Sequence, residues 1–502
     1  MFEVFANLGL GFTVALTLKN IGLCFLGCLI GTLVGVLPGV GPVATIAILL
    51  PVTLSLDPTG ALIMLAGIYY GAQYGGSTTA ILVNIPGEAT AVVTALDGHQ
   101  MARNGQGGLA LGLAAIGSFI AGTVATIVIA AVGVPMTRFG LLFGPAEYFS
   151  LMIMGLVLAV VLAHGSILKA VSMIAVGVLL SCIGADMETG RERMTFDLPM
   201  LHDGIEFVVI AMGIFGFAEI FKNLADPEKR DVVRGSIGRL WPTWTELKQN
   251  FAPMLRGTAL GSILGVLPGN GAILGPFASY AVEKRLSKTP ELFGKGMPAA
   301  VAGPESANNA GAQTSFIPLL TLGLPPNAVM ALMVGAMMIQ GIVPGPQVIE
   351  RNPDLFWGLI ASMWIGNLML VIINLPLIGL WVKLLQIPYR LLFPGIVVFC
   401  CIGLFSISND PAQVIMAAIF GLVGFTLFKL GFEAAPLALG FVLGDLLEQK
   451  LRQALIISNG DPTTFLRSPL SAGLLLVAVI ALVMAVLPTI KRSRDEVFVE
   501  NS

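Results

Sequence analysis

The sequence predicts an all-α polytopic membrane protein built from two related halves that lie in opposite directions across the bilayer. Three observations carry that reading. The 502 residues are 56% hydrophobic and only 11% charged, with a mean hydropathy of +0.89, whereas a soluble domain carries roughly 25% charged residues. Seven residues, "GVLPGVG" at 35–41, return as "GVLPGNG" at 265–271 with one letter changed. Loops that follow these two copies differ in charge, which orients them oppositely.

Apolar runs such as 63–85, 109–136 and 470–490 are each long enough to cross a hydrocarbon core of about 30 Å. Strands of about ten alternating residues are missing, so a transmembrane β-barrel is not expected. The start, "MFEVFANLGL", has neither a basic n-region nor a small-residue cleavage site, so no removable signal peptide is expected. The five cysteines (Cys24, Cys28, Cys182, Cys400, Cys401) lie among apolar residues and read as packing groups. His99, His164 and His202 are scattered without ligand spacing, so no metal site is expected. A net charge of −2 argues against a nucleic-acid partner.

The two motifs stand 230 residues apart (265 − 35), near half the chain. A second landmark follows each, "GAQYGGSTTAILVNIPGEA" at 71–89 and "NNAGAQTSFIPLLTLGLPPNA" at 308–328. Both contain Gly-Ala-Gln and, about a dozen residues on, an apolar residue before proline: Ile85-Pro86 and Leu324-Pro325. Paired interruptions of this kind point to a transporter's binding site. The predicted organisation is a first repeat over 1–221 (hairpin 22–56, broken helix near 60–95), a linker over 222–252, a second repeat over 253–490 (hairpin 253–282, broken helix near 296–340) and a tail over 491–502.

Basic residues mark the cytoplasmic side. Lys222, Lys229, Arg230, Arg234, Arg239 and Lys248 place the linker inside, and Lys491, Arg492 and Arg494 place the tail there. The loop near 55–60 has Asp57 and no basic residue, whereas 283–295 holds Lys284, Arg285, Lys288 and Lys295. With both 222–250 and 283–295 inside, the segment between them enters and leaves on one side. Its limbs, 253–267 and 271–282, read as too short to span at 1.5 Å per residue. The turn is Leu267 to Gly271, and by symmetry 22–56 is a re-entrant hairpin with its tip at Leu37 to Gly41. Spans near 60–84, 107–134, 141–163, 166–185 and 205–221 then bring the chain to the linker, leaving loop 186–204 outside. The second half allows spans near 296–325, 356–382, 392–408, 411–430, 434–457 and 471–490. The 434–457 span is the weakest, since Asp445, Glu448, Lys450 and Arg452 crowd its end and part of it reads as interfacial. Residues 1–20 are ambiguous.

Proline removes a helical donor and glycine allows close backbone approach. Gly39, Val40 and Gly41 in one tip, and Gly269, Asn270 and Gly271 in the other, therefore offer backbone amides at the start of an outgoing helix. Each such terminus carries about +0.5 of a charge and receives carboxylate or phosphate. The alternative is that these glycines only allow close helix packing. Beside the breaks lie Ser77, Thr78, Thr79 and Asn84 in the first half, and Asn308, Asn309, Gln313, Thr314, Ser315, Pro325 and Asn327 in the second. Their hydroxyls, amides and carbonyls can serve a carboxylate or sodium, or bond between helices. Glu88 and Glu305 are candidates for a coupling proton or ion, or for structural groups held by amides. Glu147, Glu219 and Asp445 read as span-end residues, and Arg256 as a cytoplasmic-face anchor.

"GVLPGVGP", "YYGAQYGGSTTAILVNIPGEATAVVTALDGHQMA", "PESANNAGA" and "TLGLPPNAVMALM" resemble the large membrane subunit of tripartite tricarboxylate transporters, over about residues 10–487. The resemblance implies a bacterial inner-membrane permease working with a small membrane subunit and a periplasmic solute-binding protein. It implies secondary transport of carboxylates, whether tricarboxylates such as citrate, dicarboxylates or aromatic acids, driven by a cation gradient. No bound cofactor is expected beyond sodium or a proton as coupling ion. An elevator-like motion follows by analogy with other hairpin-bearing anion transporters. A channel would need a continuous polar pore, and an intramembrane enzyme would need a nucleophile–base pair or metal ligands that this spacing does not supply.

Overall fold

The computed structural model describes residues 2–37, 41–84, 86–163, 166–186, 189–225, 238–268, 271–384 and 389–486. Helices account for nearly all of it, and the strands among the described residues are a two-residue pair, Gly184–Ala185 with Glu192–Arg193. Helix α1 (Phe2–Ala15) resolves the ambiguous amino-terminal segment as helical. It is followed by α2 (Leu18–Val36), α3 (Gly41–Thr53) and α4 (Pro58–Val83). Asp57 caps α4 by accepting from Gly60 N at 3.0 Å, and Pro58 occupies its first turn, where a missing N–H costs nothing. After the first break come α5 (Val92–Arg103), α6 (Gly107–Gly140), α7 (Pro145–Leu162) and α8 (Ile167–Ser181). Helix α9 (Phe207–Ala225) closes the first half, with a π-helical turn at Met212–Phe217.

The second half opens with α10 (Trp244–Gly265) and α11 (Gly271–Leu286), then α12 (Ala299–Thr314) and α13 (Phe316–Leu322). After the second break follow α14 (Ala328–Ile339), α15 (Pro353–Asn374), α16 (Ile378–Leu384), α17 (Tyr389–Ser408), α18 (Pro411–Lys429), α19 (Ala434–Ile457) and α20 (Pro469–Val486). Among the described residues, five helices are long and apolar enough to cross a membrane: α2, α6, α9, α15 and α18.

The strongest packing is a seam of small residues that occurs twice. On α2, a Cβ at Gly27, Gly31 or Gly35 would land on the backbone of Met64, Ile68 or Ala72 of α4. On α10, a Cβ at Gly257, Gly261 or Gly265 would land on Gly303, Ala307 or Gly311 of α12. The six glycines match one to one at an offset of 230 residues, the offset of the sequence motifs. Only hydrogen at these positions lets two helix backbones touch, and dispersion across that contact replaces a hydrophobic drive that lipid does not supply. Helices α3 and α11 pack on the same two helices, so each pair, α2–α3 and α10–α11, lies against the broken helix of its own half.

The unbroken helices exchange partners. Helix α6 packs on α12, and α15 packs on α4, so each half's long helix covers the other half's broken one. Around this centre, α8 lies on α19, α7 on α19 and α20, and α9 on α18. Asn309 Nδ2 donates to Ser118 Oγ at 2.6 Å and Thr126 Oγ1 to Gln313 Oε1 at 2.9 Å. These bonds anchor α12 to α6 through groups that would otherwise sit bare in apolar surroundings.

Several expectations change. The boundary at Pro253 falls inside α10, which begins at Trp244 behind a Thr243 cap whose partner Glu246 returns a bond at 2.6 Å. Helix α10 has 22 residues, or about 33 Å, so the short-limb argument does not hold for it. Its first turns, "TELKQN", are polar, and the apolar part begins only near Phe251. A proline inside a membrane helix is tolerated where neighbours re-satisfy the freed carbonyl. The linker is also partly helical, through the ends of α9 and α10, and 226–237 lies outside the described residues. Span 434–457 is one helix with 436–444 buried. Its charged end is neutralised by partners: Glu448 Oε1 meets Arg193 at 2.8 Å and Arg452 at 2.6 Å, and Arg452 meets Asp186 at 2.8 Å. Glu147 closes the first turn of α7 by accepting from Gly144 N at 2.9 Å. Arg256 reaches across to α11 and grips buried Glu283 with two bonds of 2.7 and 2.6 Å.

Replacing Gly261 by Val should force α10 off α12. Overpacking of this kind costs about 1–3 kcal/mol or more, so the purified protein should melt several degrees lower in detergent. Gly473→Ala, where nothing lies within 4 Å, should leave the melting curve in place.

Candidate functional site

A cavity of about 400 Å³ lies where the two broken helices and the two helix pairs meet. The first turn of α3 contributes Gly41, Pro42, Val43 and Ala44, and the first turn of α11 contributes Ala272 and Ile273. The first break contributes Pro86 to Thr90, and the second contributes Asn327 and Ala328 at the start of α14. Tyr69 and Gln73 come from α4, and Phe215, Glu219 and Lys222 from α9.

Local sequence explains the shape. Helix α4 stops at Asn84, which adopts the left-handed conformation at φ 59°, one that asparagine tolerates better than most residues. Pro86 and Gly87 follow. A Cβ on Gly87 would strike the Gly35 carbonyl and the Gly76 Cα, so only glycine lets this turn tuck against α2 and α4. In the second half α13 ends at Gly323, φ 72°, and Pro325-Pro326 prevents continuation. Asn327 restarts the chain by accepting from Met330 N at 3.0 Å, and its Nδ2 donates to Ser315 Oγ at 3.3 Å. Gly41 opens α3 at φ 60°, and Pro42 after it has no N–H, leaving Gly41, Val43 and Ala44 as the donors of that turn.

Three helix starts, α3, α11 and α14, therefore border one cavity, each with partial positive charge at its unpaired amides. Lys222 adds a full charge and pairs with Glu219 at 3.4 Å. Glu88 brings a carboxyl group to the wall, and its Oε1 accepts from Thr90 Oγ1 at 2.5 Å. The same hydroxyl lies 2.9 Å from Gln73 Oε1. The site thus offers fixed dipoles and one mobile ammonium to an anion, with a carboxylate alongside.

Behind this wall Glu305 on α12 is fully buried. Ser77 Oγ donates to its Oε2 at 2.5 Å, and Thr94 Oγ1 donates to its Oε1. The Asn308 side chain approaches both Glu88 and Glu305, yet among the described residues its buried Nδ2 and Oδ1 meet no partner at hydrogen-bond distance and angle. An orphaned buried amide of this kind calls for a partner that binds there.

Of the sequence candidates, Gly41, Glu88 and Asn327 border the large cavity, and Ser77, Glu305 and Asn308 lie behind it. Gly271 packs against α10, where a Cβ would meet the Leu264 carbonyl. Thr79 bonds to Gly76 O at 2.8 Å and Thr314 to Ala310 O at 2.9 Å, both within their own helices. Thr78 bonds to Tyr74 O at 3.3 Å and Asn309 serves α6. Asn84 is exposed, and neither it nor Pro325 borders the cavity; both shape the breaks. Gly39, Val40, Gly269 and Asn270 lie outside the described residues. Glu219 and Lys222, read from sequence as span end and linker, are wall residues. Their position beside a π-helical turn, a feature often found at functional sites, has no signature in the sequence.

Comparison with known proteins places the chain in a family. The model of the tripartite tricarboxylate transporter TctA family matches residues 21–439. The chain belongs to that family. It is 58% identical over 500 residues, the full length of both chains, to an uncharacterized 52.8 kDa protein in the TAR-I ttuC' 3'region of Agrobacterium vitis. It is 61% identical over 241 residues to an uncharacterized protein in the TAR-II ttuC' 3'region of the same organism, covering 48% of this chain and all of that one. No solved structure matches it. As a TctA member it is a multi-pass membrane subunit of a transport system. Among the described residues no group of three His, Cys, Asp or Glu is placed to hold a metal ion.

One buried acid joins the halves of this subunit. Asp97 on α5 accepts from Gly294 N at 2.8 Å, Gly296 N at 2.8 Å, Met297 N at 2.7 Å and Tyr280 Oη at 3.0 Å. Asp97→Ala should strand three amides, at about 1–3 kcal/mol each. Limited proteolysis within 287–297 should become several-fold faster, while cleavage within 238–243 stays unchanged.

Proposed function

We propose that this subunit imports carboxylate anions across the bacterial inner membrane, receiving them from a periplasmic solute-binding protein and working beside the small membrane subunit of the same system. The carrying observation is the cavity itself: three helix starts and Lys222 converge on about 400 Å³, within the usual range for small-molecule sites. Helix termini and a lysine suit a carboxylate, and the family supports a tricarboxylate such as citrate, with dicarboxylates and aromatic acids as related substrates. Three half-charges and one ammonium offset by Glu219 do not neutralise a di- or trianion. A co-bound sodium ion or proton would supply the balance, with Glu88 and Glu305 as the residues that hold it.

The duplicated glycine seam and the exchange of long helices support two inverted repeats, each with a re-entrant hairpin (α2–α3 and α10–α11) and a broken helix. In this reading the hairpins and broken helices form a moving body, and the helices around them form a scaffold. Lys222 and Glu219 stand on the scaffold side, so sliding would carry the substrate away from Lys222 and leave it to re-pair with Glu219.

Uptake into proteoliposomes with all three components tests the proposal. Import of a radiolabelled carboxylate that responds to a sodium or proton gradient is expected; uptake indifferent to both gradients would reject coupling, and a steady conductance would favour a channel. Gly39→Leu or Gly269→Leu should abolish uptake in a protein that still inserts. Lys222→Gln should raise the KM for di- and tricarboxylates about tenfold or more, the worth of one charge-assisted bond, and leave monocarboxylates nearly unchanged.

A further inference from the structure

Glu305 is a carboxylate at zero exposure, and among the described residues no lysine, arginine or histidine pairs with it. Burial of a charge without a counter-charge is strongly unfavourable. A second, small cavity of about 20 Å³ adjoins it, room for one occupant the size of a water molecule. Tyr74 and Ser77 of α4, Ser118 of α6 and Asn374 of α15 face this space together with Glu305. Tyr74 Oη and Asn374 Oδ1 are buried there and form no hydrogen bond, while Asn374 Nδ2 is engaged with Leu370 O at 2.9 Å. Ser118 Oγ already accepts from Asn309. Thr78 also borders it, its hydroxyl donating to Tyr74 O at 3.3 Å, and the remaining walls, among them Leu111, Ala115 and Ile378, are apolar.

We propose that this small cavity is a sodium site, with Glu305, Ser77, Tyr74, Ser118 and Asn374 as its oxygen ligands. Every proposed ligand atom is a hard oxygen, the chemistry that suits hard cations rather than transition metals. One carboxylate balances one positive charge, which selects a monovalent over a divalent ion. Four helices from both halves supply the ligands, so the ion draws α4, α6, α12 and α15 together. The site communicates with the substrate cavity over short distances. Ser77 Oγ also touches the Gln73 carbonyl at 3.0 Å, and Gln73 and the Asn308 amide stand between Glu305 and the Glu88 wall. Sodium at Glu305 would thereby set the helix turn and the amide that shape the anion site.

The assignment builds on the cation-coupled reading above, but its test involves no substrate, so either can fail alone. The full-length protein in detergent is melted in rising sodium chloride, with choline chloride holding ionic strength constant. A saturable, sodium-specific rise in melting temperature is expected. Tyr74→Phe and Asn374→Ala, each removing one ligand, should move the half-saturating sodium concentration up about tenfold, and Glu305→Gln should abolish the response. Each variant is checked for unchanged elution in size exclusion, and Ser118→Ala serves as a further single-ligand variant if one misfolds. Equal melting in sodium and choline overturns the proposal. So does a sodium response that these substitutions leave untouched, and so does stabilisation that follows pH alone, which would assign the cavity to a proton and water.

Discussion

Helices in a bilayer gain nothing from hiding apolar surface, because lipid is as apolar as the side chains, and so they hold together by contact at very short range. Here that contact is the twin glycine seam, α2 on α4 and α10 on α12. The three glycines of each seam sit four residues apart on one face, and no side chain fits between the backbones. The rest of the centre depends on this. With α2 and α10 pressed flat on the broken helices, α3 and α11 are held beside them, and their first turns arrive at the interruptions in α4 and in α12–α14. The cavity exists because two interrupted helices and two helix starts are brought to one place by the same packing rule applied twice.

Irregular backbone at such depth must be satisfied by protein groups, and the two breaks manage this differently. The second is capped locally, Asn327 serving the start of α14 and bonding to Ser315. The first leans on its surroundings: Gly87 wedges between α2 and α4, and Thr90 and Glu88 bond to each other above Gln73. The two halves share a packing seam but differ in chemistry. The first half places an acid, Glu88, at the open cavity, and the second places its acid, Glu305, in the closed one.

Interlocking between halves gives the centre its unity. Long helix α6 lies on α12, α15 lies on α4, Asp97 grips the loop before α12, and Ser77 and Thr94 bond to Glu305. A change at Glu305 is therefore felt by groups from both copies of the motif. The large cavity has α9 as one wall and breaks and helix starts as the others, and α9 packs mainly on α18 rather than on the glycine seams.

By itself the sequence determined the class of the protein, the family resemblance, the doubled motif and the places where helices must break. Those depend on local covalent facts: apolar run length, a proline without an N–H, a glycine without a Cβ. It also named Gly41, Glu88 and Asn327, which border the large cavity, and Glu305 and Asn308, which lie behind it. It misjudged the start of α10, because a proline and a polar turn look like a boundary, whereas the cap that starts the helix is Thr243 with Glu246. Only the tertiary structure decided that Lys222 and Glu219 border the large cavity, that Asn84, Thr79 and Thr314 serve the backbone, and that Tyr74, Ser118 and Asn374 meet around Glu305. Those residues come from helices as much as 300 positions apart (374 − 74), and nothing local in a side chain records which distant partner the folded chain will set against it.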